Sequence, residues 1–376
     1  MKLCFYILGF FLIVTSCDLP HWDLDKIEYL NFELPSALEK VFAPTYKTEI
    51  VERGNQGIFW AGRMSSVCGL TNYQYKDTIF DLKLLRQGFH SNVMFPDKDT
   101  ILMTFNGDGN LSVLQIGFDG SFINEYLDLV LYVRSKIGAV NQVVIHDMTV
   151  SNDIYILAGE VKQTIGEPRT ILIGMSRSLQ PLWVRTYISN SFATNVETSM
   201  SGDIFISGVR NGHNYILKTN ISETIFFVRD FIEIGRDSVS DMKYQNGRLY
   251  FTSCLKQYPF KTRVVSFDDN LKEIWFVDLS TIDTNHPVIT LNRNGNLVIG
   301  YASYSIIYLT ELDNQFGTNV WCNRYAKDKN YAPKGVIQTG DFGYLMLSES
   351  SNGEQLVIKT DEEGATRLHP FSQFCH

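Results

Sequence analysis

The sequence predicts an all-β protein, a β-propeller of four-stranded antiparallel blades, seven of them on the simplest count. Three observations carry the prediction. A short apolar stretch introduced by a turn residue recurs at near-constant spacing. Further short strands accompany each copy in a fixed order. No convincing amphipathic stretch of helical period as long as ten residues interrupts them, the nearest being a short possibility at Ser36–Phe42. Composition agrees: 13% of the 376 residues are aromatic, with 19 Tyr and 25 Phe, types that suit a pleated surface.

The recurring stretch reads DIYILAG at 153–159, GDIFISG at 202–208, GRLYFTS at 247–253, GNLVIGY at 295–301 and GYLMLS at 343–348, with weaker copies GIFWAG at 57–62 and DTILMTF at 99–105. Their apolar starts are Ile58, Ile101, Ile154, Ile204, Leu249, Leu297 and Tyr344, between 43 and 53 residues apart. A second apolar strand follows each, as in TILIGM at 170–175, NYILKT at 214–219 and RVVSFD at 263–268. After a polar turn comes a third, often aromatic: LWVRTY at 182–187, IFFVRD at 225–230, IWFVD at 274–278, VWCNRY at 320–325. Another strand precedes each first element, as in NVETSM at 195–200 and VITLN at 288–292.

Four such strands form a sheet too small to bury its own faces. Packing sheets around an axis lets each cover its neighbours, and closing the ring protects the ends. The first unit is the least regular, so six or eight blades remain compatible. A pair of β-sandwiches would explain the alternating strands but not the recurring order of turns.

The amino terminus has a different character. Lys2 precedes an almost wholly apolar run, Leu3 to Ser16, too short for a stable membrane-spanning helix, and the run stops at FLIVTSC, 11–17, before Asp18. The residues Val14-Thr15-Ser16-Cys17 resemble the signal of bacterial lipoproteins. That resemblance implies cleavage before Cys17 and acylation of its thiol and new amino terminus, an effectively permanent anchor. On this reading residues 1–16 are a signal peptide, 17–45 a lipid-anchored tether and lead-in, and 46–376 a single propeller domain exposed outside the cytoplasm in the cell envelope. Asp18 resembles the inner-membrane retention signal of enteric bacteria, a rule that does not hold in every lineage, so the choice of membrane stays open.

A second resemblance lies at DNQFGTNVW, 313–321, where an Asp is followed by a Gly four residues on and a Trp eight on. This is similar to the blade signature of quinoprotein-type propeller repeats, in which the aromatic packs between blades while Asp and Gly shape the outer turn. DDNLKEIW at 268–275 is a near copy lacking the Gly. Repeat and leader together resemble the propeller lipoproteins of the outer-membrane barrel-assembly machine, which implies a scaffold role. The vicinal cysteine pair of the family's quinone dehydrogenases has no counterpart here.

Several functions find no support in the residues. The net charge is −8 and no Lys/Arg run exceeds two, so nucleic acid is not an expected partner. The seven His form neither HxH nor HExxH, no Gly-rich phosphate loop is present, and no Ser sits in GxSxG, so neither a metal nor another cofactor is expected. Beyond Cys4 and Cys17, the remaining Cys68, Cys254, Cys322 and Cys375 are widely spread; at most one disulfide is the favoured reading.

Consecutive strands of a blade turn alternately at the two ends of the ring. The first-to-second and third-to-fourth turns are read as short and polar, hence architectural. The other connections are read as longer and less uniform, including 63–76, 160–169 and 254–261, and the working face is placed there. Tyr73, Arg210, Lys256, Tyr258 and Tyr304 are its candidate binding residues. Asp147, Glu197 and Asp241 fall on inner strands, where paired carboxylates could serve general acid/base chemistry. The expectation is a non-catalytic, membrane-anchored module that binds envelope proteins or glycans. The alternative is an exported carbohydrate-binding or carbohydrate-active propeller working through the channel carboxylates.

Overall fold

A computed structural model describes residues 49–52, 58–64, 67–73, 81–87, 89–94, 100–106, 111–117, 121–222, 227–231, 239–255, 261–280, 287–303, 306–326, 330–340, 342–350 and 355–365. Blade 1 comprises β1 (Glu49–Glu52), β2 (Ile58–Met64), β3 (Val67–Tyr73) and β4 (Asp81–Gln87). Blade 2 comprises β5 (Phe89–Met94), β6 (Thr100–Asn106), β7 (Leu111–Gly117) and β8 (Phe122–Tyr126). A helix, α1 (Leu129–Ile137), leads into blade 3: β9 (Val140–Ser151), β10 (Ile154–Gln163), β11 (Arg169–Ser176) and β12 (Pro181–Ser189). Blade 4 holds β13 (Ser191–Thr198), β14 (Asp203–Arg210), β15 (His213–Asn220) and β16 (Phe227–Phe231). Blade 5 holds β17 (Val239–Gln245), β18 (Arg248–Leu255), β19 (Lys261–Asp268) and β20 (Glu273–Ser280). Blade 6 holds β21 (Val288–Leu291), β22 (Leu297–Ser303), β23 (Ile306–Leu312) and β24 (Asn319–Ala326). Blade 7 shows β25 (Tyr331–Gln338), β26 (Tyr344–Ser350) and β27 (Gln355–Lys359) among the described residues.

Every sheet is antiparallel, and its strands lie side by side in chain order. The first strand of each blade is innermost. From blade 2 to blade 7 each inner strand lies against the next, β1 lies against β25, and β5 touches β2, so seven blades close a ring. The sequence-predicted starts of the second strands fall within one residue of the observed ones, from Ile58 to Tyr344.

The core is a series of layers between blades rather than one central mass. Phe205 and Ile216 of blade 4 meet Met242, Phe251 and Phe267 of blade 5, and Val298 and Leu309 of blade 6 meet Tyr344 and Met346 of blade 7. A middle strand is covered on both faces, so it reads as a continuous apolar run rather than an alternating one. All seven residues of β7 and of β22 are buried. Outer strands are covered less completely, and β12 is mostly half-exposed.

The small residue that ends several of the repeats has a steric cause. Five inner strands carry a β-bulge, at Ser91, His146, Thr194, Ser240 and Lys334. The bulges at His146 and Thr194 press the inner strand onto the second. A Cβ on Gly159 would lie 1.8 Å from the Val144 carbonyl oxygen, and one on Gly208 would lie 2.0 Å from that of Phe192. Only glycine fits there.

The helix was not expected from the sequence. Asp128 caps it, its side chain accepting from the Leu131 N–H at 2.9 Å, and Gly138 ends it at φ 89°. Leu129, Val130 and Val133 are buried against blades 2 and 3. Two sequence-assigned loops are also corrected. Residues 63–76 contain the end of β2 and all of β3, which pairs with β2 from Ile58 opposite Tyr73 to Met64 opposite Val67. In 160–169 only 164–168 connect strands. The Ser36–Phe42 segment lies outside the described residues.

Gly159→Ala and Gly208→Ala are expected to destabilise the ring by about 1–3 kcal/mol each through forced backbone movement. Gly212→Ala, with nothing within 4 Å of its Cβ, meets only the about 1–2 kcal/mol of alanine at positive φ. Denaturant midpoints of the three variants check the ranking.

Candidate functional site

Two sets of hydrogen bonds join successive blades, and they determine which polar groups remain for function. On the inner strands, Asp147 of blade 3 accepts the Val196 N–H of blade 4 on Oδ2 at 2.9 Å and its neighbour Met148 N–H on Oδ1 at 2.9 Å. Asp241 of blade 5 does the same with Ile289 of blade 6 at 2.9 Å and with Met242 at 2.8 Å. Asn195, at the corresponding place in blade 4, donates from Nδ2 to the Val239 carbonyl of blade 5 at 3.3 Å. All three follow a bulged residue, which re-aims the next side chain at the neighbouring blade.

On the outer strands a donor reaches the next blade's outer turn: Asn124 to Ser178 O at 2.8 Å, Arg185 to Asn220 O at 2.9 Å, Arg229 to Leu271 O at 2.9 Å, Trp275 to Asn314 O at 3.2 Å and Asn323 to Glu363 O at 2.7 Å. The aromatic packing implied by the DNQFGTNVW motif is present here. Asp313 Oδ1 accepts the Gln315 and Phe316 N–H groups, and Gly317 turns at φ 70°. Trp275 of the preceding blade covers Gly317, and Trp321 covers Gly364 of the following one, so closely that a Cβ would stand 2.6 and 2.4 Å from the indoles.

These bonds decide what the inner-strand acids can do. Asp147 and Asp241 each spend both oxygens on backbone N–H groups and fasten one blade to the next. Glu197 pairs with Lys243 of blade 5 at 3.1 Å. The arrangement is that of structural acceptors rather than of an acid and a base facing one substrate.

The bulges themselves form the second feature. His146, Thr194, Ser240 and Lys334 are half-exposed and lie toward the end of the ring where second and third strands connect. Burial pushes the His146 pKa below its ordinary 6.5, and Lys162 adds to this, while Glu160 and Asp147 oppose it. Lys334 faces Glu349 at 3.6 Å.

The binding candidates do not converge. Arg210 ends β14 and pairs with His213 across the two-residue turn Asn211–Gly212, half-exposed on the expected face. Tyr73 ends β3 opposite Ile58, which places it at the other end of the ring, a correction that follows from β3 being a strand. Lys256, Tyr258, Tyr304 and Cys17 lie outside the described residues. Cys254 is buried and outside any disulfide, and Cys322 is disulfide-bonded.

Sequence reasoning missed the ledge on the expected face. The turn after β10 is fastened to the helix end, with Thr164 N–H donating to Ala139 O at 3.4 Å and Gln163 Nε2 to Ile137 O at 3.4 Å. Leu127, Leu131 and Ile165 stand exposed there at 60%, 57% and 90%. Asp128 and Gly138 were the available signals, ten residues apart around an apolar segment. On blade 5, Asp278 holds Arg263 through two contacts of 2.6 and 2.9 Å and Lys261 at 3.2 Å; the hydrogen bonds from Arg263 keep its carboxyl below the usual range.

Asp147→Ala or Asp241→Ala leaves a backbone N–H without its acceptor and is expected to cost about 1–3 kcal/mol. Glu197→Gln, a partly exposed pair, costs about 1 kcal/mol or less. Neutral His146 contributes stability that is full above pH 6.5 and is lost as pH falls below it, since the unfolded chain then binds a proton that the folded chain resists. His146→Gln flattens that slope in denaturation midpoints read against pH.

No family model matches the chain, and no curated protein does. Solved structures do. A virginiamycin B lyase from Staphylococcus aureus superposes with a TM-score of 0.55 at 10% identity, over 83% of this chain and 93% of that one. A prolyl endopeptidase gives a TM-score of 0.52 at 13% identity over 85% of this chain, which spans about half, 47%, of that longer protein. At such identities the likeness establishes the fold alone: the chain is a β-propeller.

Proposed function

We propose that this protein is a non-catalytic recognition module of the bacterial cell envelope. It is tethered to a membrane through Cys17 and contacts an envelope protein or glycan on the face bearing the turn after β14. The observation that carries the reading is the engagement of Asp147, Asp241 and Glu197 in blade-to-blade contacts, which disfavours acid/base chemistry in the channel. The propeller neighbours include enzymes, but their chemistry does not transfer at these identities. Arg210 and His213 on a two-residue turn offer a rigid polar contact point on that face.

The test is site-directed photo-cross-linking in intact cells. A photoreactive residue in place of Arg210 is expected to yield a discrete protein or glycan adduct. One in place of Phe316, 72% exposed on an outer turn at the opposite face, is expected to yield none. Equal capture from both positions, capture from neither, or hydrolysis of an envelope glycan that Asp241→Ala abolishes in a folded protein would contradict the proposal.

A further inference from the structure

The ledge built by α1 and the 164–168 turn has a composition that the binding reading leaves unused. Leu127 just before the helix cap and Leu131 in its first turn are both exposed, and Ile165 is 90% exposed at the tip of the adjoining turn. An isoleucine on a turn tip forfeits the burial that ordinarily justifies it, and Leu127 and Leu131 are exposed at the start of the helix to which that turn is fastened. The turn is not loose: Thr164 also bonds Asn141 Oδ1 through its hydroxyl at 3.2 Å, so helix end and turn move as one piece. Behind the apolar tips stand cations. Arg134 and Lys136 occupy the last helical turn, and Lys162 and Arg169 flank the 164–168 turn, all exposed. Glu160 is engaged with Lys162 at 3.1 Å, leaving Glu167 as the acid exposed on the turn itself. With Asp128 at the helix cap, Arg134, Lys136, Lys162 and Arg169 stand against three acids, so the ledge carries a slight positive excess on a chain whose net charge is −8.

We propose that this ledge docks on an anionic phospholipid bilayer, with Ile165, Leu131 and Leu127 entering the acyl region and Arg134, Lys136, Lys162 and Arg169 level with the phosphates. Apolar tips with Lys and Arg behind them match the order of a bilayer, hydrocarbon beyond and phosphate above. Lysine is depleted in protein–protein interfaces, which makes a protein the poorer fit for this edge. Docking also supplies what a tether does not. An anchor at Cys17 gives one point of attachment, and a contact at blade 3 would set which face the ring turns to the bilayer.

The experiment uses full-length chain on vesicles containing phosphatidylglycerol brominated along its acyl chains, which quench nearby tryptophan. Ile165→Trp is expected to be quenched and blue-shifted, and Phe316→Trp unaffected. Leu131→Ser with Lys136→Glu and Lys162→Glu, added to Ile165→Trp, reduces the quenching tenfold or more, as does high salt. Equal quenching at 165 and 316, or none at 165 while the chain remains bound to the vesicle, overturns the docking surface and leaves the tether standing. Quenching at 165 that persists with Cys17→Ser supports docking whether or not the tether exists.

Discussion

The whole molecule depends on how one blade is fastened to the next. A four-stranded sheet has two apolar faces, and neither can be covered from within the blade. From blade 3 to blade 6 each interface combines an apolar layer, such as Phe251 and Phe267 against Phe205 and Ile216, with polar bonds at its inner and outer margins. The inner margin uses Asp147, Asn195 and Asp241, and the outer uses Asn124, Arg185, Arg229, Trp275 and Asn323. The apolar layer supplies most of the free energy because it removes the larger area from water. The marginal bonds are directional and fix the angle and register at which blades meet.

That division bears on function. Inner-strand acids in a ring invite comparison with catalytic carboxylates, yet the bulges at His146 and Ser240 turn Asp147 and Asp241 toward the next backbone. Each of these carboxylates accepts one backbone N–H on each oxygen at 2.8–2.9 Å, one from its own blade and one from the next, which is the work of a structural acceptor. What varies from blade to blade lies at the rim instead: the helix before blade 3, the Asn211–Gly212 turn of blade 4 and the Asp278 cluster of blade 5. A rigid ring with a varied rim suits recognition.

The second and third strands were legible in the sequence because both their faces are buried. Continuous runs such as TILIGM need no knowledge of neighbours to be recognised. Turn residues were legible too, since Asn152, Asp153, Asn246 and Gly247 take positive φ where the inner hairpins reverse. The closing Gly of DIYILAG and GDIFISG was visible as a pattern, but its cause, the bulge opposite, was not. Side-chain destinations were the hardest to read. Asp147 looks the same in sequence whether it faces a channel or a neighbour, because the bulge at His146 that decides this leaves no mark in residue type. The helix escaped for another reason: it is only nine residues long, and Leu131, apolar on its exposed side, blurs the 3.6-residue period.

The most direct test of the central claim, that inner-strand carboxylates bind blades rather than substrates, is residue-resolved amide hydrogen exchange. In the native protein the Val196 and Ile289 N–H groups should be strongly protected. Asp147→Ala should raise exchange at Val196 selectively while Ile289 stays protected, and Asp241→Ala should do the reverse. Unchanged protection at Val196 in Asp147→Ala, or fast exchange at both amides in the native ring, would contradict the account.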